Sequence, residues 1–286
     1  MTKRWMYLLT MLAAAGARAQ GDYAFCQILD RVDEPAWQAH GLYAFDADIT
    51  QEGGDDLGFL SIRGGGGFGY WRSDYGDLDL GGTYDALMFT SDGGLKLPDM
   101  VGALALKAAF TFRNDDGQGL RLTAAPGLYT DLGEIAFDSL YMPFSVEGIQ
   151  AFTPEVSGVL GLAFFPGFDQ FLDPRFGIRW SVSEYLLIDL QYPESRVTVF
   201  PNVGWEMYLG IKSDQTAEWY LDDERGNLMM DEMRGYIGVS HPLTDQFRMM
   251  YQAGLIINRE IEFEHGEQEF DVEDGMFFSV GIGGAL

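Results

Sequence analysis

Cysteine is nearly absent from this chain, since Cys26 is the single cysteine among 286 residues. A lone cysteine cannot form an intrachain disulfide, and we interpret Cys26 as a structural or incidental thiol rather than a catalytic one. Long apolar runs are also missing, because no stretch approaches the roughly 18 consecutive apolar residues of a membrane-spanning helix. If this chain crosses a membrane, it must therefore cross it with β-strands.

Basic residues are scarce. Lys and Arg number 18 against 44 Asp and Glu, which gives a formal net charge of -26 and a pI near 4.2. A polyanion of this size repels nucleic acid, so we exclude nucleic acid as a partner. Intrinsic disorder is excluded too, because 47% of the residues are hydrophobic and 14% are aromatic.

Catalytic motifs are missing as well. The sequence has three histidines and no G-x-S-x-G motif. Ser240 next to His241 is the one nucleophile beside a base, but adjacent residues of a regular strand point to opposite faces and cannot form a dyad. The stretch Gly64–Gly69 is not followed by Lys-Ser/Thr, so we interpret it as a kink in a barrel strand rather than a phosphate-binding loop. We therefore predict no catalytic residues, no cofactor and no enzymatic activity.

The N-terminus has the features of a secretory signal peptide. Lys3 and Arg4 form a positively charged region, an apolar stretch follows over residues 5–15, and Ala17-Arg18-Ala19 matches an A-x-A cleavage site. We predict that residues 1–19 are a signal peptide and that the chain is exported from the cytoplasm.

Apolar residues recur at every second position in one segment after another, which predicts β-strands with one apolar face. In one such segment, Leu104, Leu106, Ala108, Phe110 and Phe112 alternate with Ala105, Lys107, Ala109, Thr111 and Arg113. The second face mixes small residues with isolated charges, which is typical of a crowded barrel lumen. A soluble periplasmic β-sandwich that acts as a binding module stays open as an alternative, because an apolar face packed on a core has the same pattern.

The chain ends in one of these strands, which covers residues 276–286. Met276, Phe278, Val280 and Ile282 lie on its apolar face. Bacterial outer-membrane barrels tend to end in such a strand, usually closed by an aromatic residue. This chain resembles them, except that Leu286 replaces the aromatic residue.

We predict an all-β fold, namely a closed antiparallel transmembrane β-barrel of about 12 strands with a range of about 10–14, because a tilted crossing needs roughly 9–11 residues plus turns. Residues 20–40 are predicted to be an N-terminal periplasmic segment, and residues 41–286 the barrel in the bacterial outer membrane. An even number of strands puts both chain ends in the periplasm, with the turn at His265-Gly266 outside the cell.

Charged residues on the polar faces are predicted to line the lumen, either around a narrow pore or as ion pairs that plug it. They are Lys107, Arg113, Arg121, Arg179, Asp189, Glu206, Arg234 and Arg248. Glu194 and Arg196 follow Pro193 and share one face, which predicts an ion pair at a hairpin turn on the barrel rim.

The last hairpin is strongly acidic near its turn. We interpret it as a solvated extracellular ribbon and predict no metal site. The alternative is a divalent cation that bridges its carboxylates to lipopolysaccharide phosphates. The carboxylates for such a bridge would be Glu262, Glu264, Glu267 and Glu269.

Two short motifs and one tryptophan resemble a known family. The segments Ala125–Asp131 and Tyr192–Val197, together with Trp205, are similar to a family of uncharacterised bacterial outer-membrane β-barrel proteins, known as a domain of unknown function. The resemblance covers about residues 41–286. It implies the fold and the location in the outer membrane, and it implies no activity or site residues.

The sequence supports a passive or structural outer-membrane barrel, which includes a narrow pore for ions or small solutes. An outer-membrane hydrolase acting on lipid or peptide is the alternative function. The expected partners are outer-membrane lipid, lipopolysaccharide and the barrel assembly machinery, and the sequence leaves the oligomeric state open.

Overall fold

The structure is a computed structural model that describes residues 37–50, 56–73, 76–92, 95–114, 118–131, 139–167, 171–221, 226–264 and 268–284. The described residues form 17 strands of a single sheet. The strands are β1 (Trp37–Asp48), β2 (Asp56–Ser73), β3 (Gly76–Asp92), β4 (Met100–Arg113), β5 (Gln118–Ala124), β6 (Gly127–Thr130), β7 (Leu140–Tyr141), β8 (Phe144–Ala151), β9 (Val156–Phe164), β10 (Leu172–Ser183), β11 (Leu186–Tyr192), β12 (Glu194–Val199), β13 (Glu206–Tyr220), β14 (Asn227–Pro242), β15 (Phe247–Phe263), β16 (Gln268–Val272) and β17 (Gly275–Gly284).

The sheet closes on itself, because the last strand, β17, pairs antiparallel with the first, β1, with Trp37 opposite Gly284. Three strand pairs each follow one path with a short break: β5 with β6, β7 with β8, and β16 with β17. Counting each pair once gives a closed antiparallel barrel with a wall of 14 strands. The prediction of an all-β closed antiparallel barrel is confirmed, and the β-sandwich alternative is wrong, because the wall is one closed sheet rather than two packed sheets.

The strand number is at the upper limit of the predicted range and above its central value of about 12. The physical reason lies in β11 and β12, which have only 7 and 6 residues and are joined through Pro193. Such a short hairpin uses far fewer residues per crossing than the average on which the prediction rested. The barrel wall is therefore shorter along the barrel axis at β11 and β12, and we call these two strands the low part of the wall.

Trp37, four residues before the predicted boundary at Gly41, is already part of the wall, since it is paired on both sides, with Gly66 and Gly284. The predicted signal peptide, most of the predicted periplasmic segment and Cys26 lie outside the described residues.

The two ends of the barrel differ. We call the end where β1 starts and β17 stops the terminal end, and the opposite end the distal end. At the terminal end the strands are joined by short turns such as 152–155, 184–185 and 243–246. At the distal end β13, β14 and β15 extend to 15, 16 and 17 residues, which is longer than the roughly 9–11 residues of one crossing.

In much of the wall, apolar side chains point outward at alternate positions. Leu106, Leu160 and Leu209 are more than half exposed, whereas the alternating positions Ala105, Ala109, Tyr208 and others are buried. The outward residues form an apolar belt on the outer surface of the barrel. Its members include Leu104, Leu106, Leu122, Leu160, Phe176, Ile178, Leu190, Leu209, Ile237, Leu255, Met276 and Phe278.

The described residues include no helix of the length and hydrophobicity that a membrane span requires.

Aromatic rings gather on the outside of the terminal end. His241 stacks between Trp205, with ring centroids 4.8 Å apart, and Tyr251, at 5.9 Å. Because β14 ends at Pro242, His241 marks the end of a strand. Rings that combine an apolar body with a polar edge suit the boundary between lipid and water.

The glycine-rich stretch lies within β2, where Gly64, Gly65 and Gly66 are paired with both β1 and β3. A Cβ on Gly64 would lie 2.6 Å from the Tyr84 hydroxyl oxygen, and the register to β3 shifts between Gly67 and Gly69. These glycines therefore serve close packing and bending of the barrel wall.

Candidate functional site

The inner faces of the wall strands meet inside the barrel, and the interior has two parts. The part near the terminal end, which we call the polar layer, contains charged side chains. The part near the distal end, which we call the distal core, is a cluster of large apolar side chains. What the protein can do depends on how these two parts fill the lumen.

In the polar layer, one network joins β13, β14 and β15. Arg248 donates to Glu206 Oε1 at 2.8 Å, to Ser240 Oγ at 3.2 Å and to the Gly204 carbonyl at 3.0 Å. Alternate positions on three neighbouring strands bring these groups together, because strands in register place inward residues side by side. The network is a charge-assisted cross-link between strands, since guanidinium donors and a carboxylate form strong hydrogen bonds.

A second group lies on β10 to β13. Arg179 Nε lies 4.0 Å from Asp189 Oδ2, and both side chains are buried. The Arg196 guanidinium lies over the Tyr208 ring at 4.7 Å, and Gln252 donates to the Tyr208 hydroxyl at 3.3 Å. Opposite charges and ring contacts thus stabilise charges inside the barrel.

The low part of the wall carries a third group. Arg175 Nε lies 3.2 Å from Asp173 Oδ2 on β10. At the β11–β12 hairpin, the Tyr236 hydroxyl donates to Glu194, and Ser213 N–H donates to the Pro193 carbonyl at 2.9 Å. The hairpin is thereby fastened to β13 and β14 although it is short.

The distal core lies in the other part of the lumen. Its members are buried and come from β1 to β4, from β13 to β17 and from the adjoining loops. They include Leu42, Ala44, Leu57, Phe59, Leu87, Val101, Trp219, Leu221, Leu228, Met230, Ile256, Ile261, Phe263, Val272 and Phe277. Trp219 is 1% exposed and Phe59 is 0% exposed, so water does not reach these side chains. Large apolar side chains from these strands therefore pack together at the distal end.

One contact crosses the distal end. Thr130 at the end of β6 pairs in parallel with Tyr220 at the end of β13, and Asp131 N–H donates to the Tyr220 carbonyl at 3.1 Å. Along the wall, β6 and β13 are separated by β8 to β12, which include the two shortest crossings. The bridge narrows the distal opening over the low part of the wall.

A buried ion cluster lies inside the distal core. Arg234 forms an ion pair with Glu232 Oε1, and Arg259 Nε lies 3.4 Å from Glu232 Oε2. The Arg259 guanidinium lies over the Phe59 ring at 5.0 Å, and Arg234 lies 6.0 Å from the Phe277 ring. Two cations thus share this carboxylate in apolar surroundings.

The structure places the predicted lumen residues as follows. Arg121, Arg179, Asp189, Glu206 and Arg234 are buried, and Lys107 and Arg248 are half-buried at inward positions of β4 and β15. The Arg113 side chain lies outside the described part of the structure. The structure brings Arg179 together with Asp189, and Glu206 with Arg248, while Arg234 belongs to the distal ion cluster.

Glu194 and Arg196 lie two residues apart on β12, and each has other named contacts: Glu194 accepts from Tyr236, and Arg196 lies over Tyr208. Ser240 and His241 point to opposite sides of the wall, because Ser240 is buried against Arg248 while His241 stacks outside on Trp205. This arrangement keeps the hydroxyl and the imidazole apart.

For the acidic hairpin, Glu262 is opposite Glu269 in the β15–β16 register, and Glu264 donates its backbone N–H to the Asn227 carbonyl at 3.0 Å. Glu267 and the Glu269 side chain lie outside the described residues. Within the residues that are described, no group of three or more His, Cys, Asp or Glu is arranged to hold a metal ion.

Sequence reasoning missed Glu232 and Arg259. The alternation of β15 puts Ile257 outside, and regular continuation would put Arg259 outside as well. Asn258, however, has a φ of 49°, and the ladder to β14 shifts between Asp231 and Met233. This bulge turns Arg259, Ile261 and Phe263 inward. An asparagine inside an otherwise regular strand was the only available signal, because Asn tolerates positive φ.

The Glu206–Arg248 pair gives a testable prediction. We expect Arg248→Met to lower the free energy of unfolding by about 2–5 kcal/mol, because it leaves the Glu206 carboxylate buried without its cation. The double variant Glu206→Gln/Arg248→Met should recover most of this loss, since both charges are then gone. Urea unfolding of the refolded barrel measures the change, and a double variant as unstable as the single one would contradict the pairing.

No protein-family model matches this sequence. No curated protein matches it either. Among solved structures, an outer-membrane channel from Pseudomonas putida F1 is similar, with 12% identity, a TM-score of 0.47, and 89% of this chain and 97% of that chain covered. A FadL homologue from Pseudomonas aeruginosa has 10% identity and a TM-score of 0.46, and the match covers 88% of this chain and 90% of that chain. The NanC porin has 8% identity and a TM-score of 0.43, and the match covers 88% of this chain and 100% of that chain.

Proposed function

We propose that this protein is an outer-membrane β-barrel with a passive or structural role, whose lumen is closed along the barrel axis. The observation that carries this proposal is the burial of the inward side chains. Phe59, Trp219 and Leu228 fill the distal core, while Arg179 and Glu206 are buried in the polar layer. A barrel filled with packed side chains has no free path for water, in contrast to a wide porin lumen.

The outer surface supports the membrane location. The apolar belt faces outward, and His241 with Trp205 lies at its terminal edge. At the distal end, Asp231, Glu260 and Asp271 are neighbours in the register of β14, β15 and β16. A row of carboxylates belongs in water, so the belt ends below these residues and the distal end projects from the membrane. Lipid and lipopolysaccharide are then the surroundings, and the barrel assembly machinery inserts the exported chain.

A narrow pore for ions or small solutes is the second candidate. The observation in its favour is the polar layer, where Arg179, Asp189, Glu206 and Arg248 put both signs of charge inside the barrel. At the low part of the wall, β11 and β12, the path of an ion or solute from the distal side into the barrel is shortest. Opening such a pore requires displacement of the distal core.

Planar-bilayer recording of the refolded protein tests the proposal. We expect no stepwise ion currents from the wild-type barrel, because packed side chains fill its lumen. A shift between heated and unheated samples on a denaturing gel should show that the recorded protein is folded. Stepwise currents from folded wild-type protein would contradict the closed lumen and favour the narrow pore, and turnover of lipid or peptide would contradict the non-enzymatic role.

A further inference from the structure

Arg259 is a buried cation in the distal core, and the proposed structural role does not use it. The residue is 1% exposed, and its neighbours include the Phe59 ring and Ile261 on the same strand. Its ion-pair partner is Glu232, which also pairs with Arg234. Burying an ion in apolar surroundings costs several kcal/mol unless charge and hydrogen bonds compensate it.

The compensation of Arg259 is incomplete. Its Nε, Nη1 and Nη2 atoms are buried, and none of them has a hydrogen-bond partner among the described residues. The contact of Nε with Glu232 at 3.4 Å is an ion pair without the alignment of a hydrogen bond. A guanidinium carries five N–H donors in a fork that matches a carboxylate or a phosphate. The donors of Arg259 are therefore oriented for an acceptor that the described residues do not supply.

Small residues lie beside this guanidinium. A Cβ on Gly275 would be 3.7 Å from Arg259 Nη2 and 3.4 Å from the Cβ of Ala47. Glycine and alanine at these two positions keep bulky side chains away from the donors. The rest of the distal core around them is apolar, with Leu57 and Phe59 fully buried on β2.

The wall is interrupted at the level of Arg259. Ile256 pairs with Gly275 and Arg259 pairs with Val272, but the residues between these pairs break the ladder. On β15 the interruption includes Asn258 with its positive φ, and on the neighbouring path it is the gap between β16 and β17. The register of β1 and β2 also shifts nearby, between Ala44 and Ala47. An interrupted ladder opens at lower cost than a continuous one.

We infer that Arg259 binds the anionic head group of an amphiphile whose apolar chain packs into the distal core. The ligand class is a carboxylate or phosphate on a long hydrocarbon chain, and it reaches Arg259 sideways through the interrupted wall. The head group supplies acceptors for the guanidinium donors, and the chain adds to the apolar packing. A free fatty acid and an anionic membrane lipid share this chemistry.

The test uses the full refolded barrel in a zwitterionic detergent. The probe is a fatty acid brominated in mid-chain, compared with its methyl ester, and the readout is quenching of Trp219, which is buried in the distal core. We expect the acid to bind about tenfold more tightly than the ester, because one charge-assisted hydrogen bond contributes roughly that much. Trp219→Phe should remove the acid-specific quenching.

Two variants locate the site. Arg259→Met should abolish the preference for the acid, and Lys96→Met, which removes an exposed cation at the distal end, should keep it. Gly275→Val leaves every charge in place but fills the space beside Nη2, and it should also abolish the preference. This second variant keeps the test decisive if Arg259→Met does not fold.

The source of the ligand is tested in phosphatidylcholine vesicles. Quenching by brominated phosphatidylglycerol that is lost in Arg259→Met would identify a membrane lipid, whereas quenching by the acid alone would identify a free fatty acid. Equal binding of acid and ester by the wild type, or an acid preference that persists in both variants, would overturn the inference. These results are independent of the conductance experiment, so the two proposals can fail separately.

Discussion

Leu160→Arg is expected to lower the free energy of unfolding of the bilayer-inserted barrel by about 2–4 kcal/mol, which is the cost of a lipid-facing arginine near the membrane centre. Leu160 lies in the middle of β9 and is 73% exposed on the outer surface. Its exposure to lipid rather than water is what makes the leucine favourable there. Urea unfolding from phosphatidylcholine vesicles, followed by tryptophan fluorescence, measures the change.

Val203→Arg is the matched control. Val203 lies in the turn between β12 and β13 at the terminal end and is fully exposed, so the same substitution there should change stability by less than about 0.5 kcal/mol. If both variants were equally stable, the outward face of β9 would meet water, and the membrane location would lose its main support.

Opening the distal core should convert a silent barrel into a conducting one. We expect the double variant Trp219→Ser/Phe263→Ser to give stepwise currents in planar bilayers where the wild type gives none. Both side chains are buried in the distal core, and their replacement by serine removes apolar volume and adds groups that bind water. The variant should also lose about 3–5 kcal/mol of stability for each large side chain removed.

Trp180→Ser is the control for this experiment. Trp180 points outward from β10 and is half exposed, so its loss should leave the lumen closed. A gel that shows a folded, heat-modifiable band is needed for each variant, because an unfolded chain also disturbs a bilayer. Silence from a folded double variant would show that the remaining side chains still close the lumen.

The alternation of side chains was readable from the sequence, and it predicted β-strands with one apolar face. In β10 and β13, outward Ile178 and Leu209 and inward Arg179 and Tyr208 follow the period of two. The reason is local, because a strand flips successive side chains whatever its partners are. At Asn258 a bulge changes the phase, so Arg259 is buried where regular alternation would place it outside.

Which charged side chains form pairs could be seen only in the tertiary structure. Arg248 and Glu206 are 42 residues apart, and their contact depends on the register of three strands. Glu194 accepts from Tyr236 of β14 and Arg196 lies over Tyr208 of β13, and the spacing within β12 does not reveal either contact. Spacing along one strand reports which side chains share a face, while register and wall curvature decide which of them meet.

The sequence by itself determined that this chain forms β-strands with one apolar face, because period-two patterning is a property of each strand alone. The closure of these strands into a barrel is visible only in the pairing of β1 with β17. Only the tertiary structure decided what fills the inside. The bridge from Thr130 to Tyr220, the apolar distal core and the buried Arg259 arise where strands distant in sequence converge. Their positions depend on the lengths and the bulges of many strands together, and no single segment of the sequence specifies all of these.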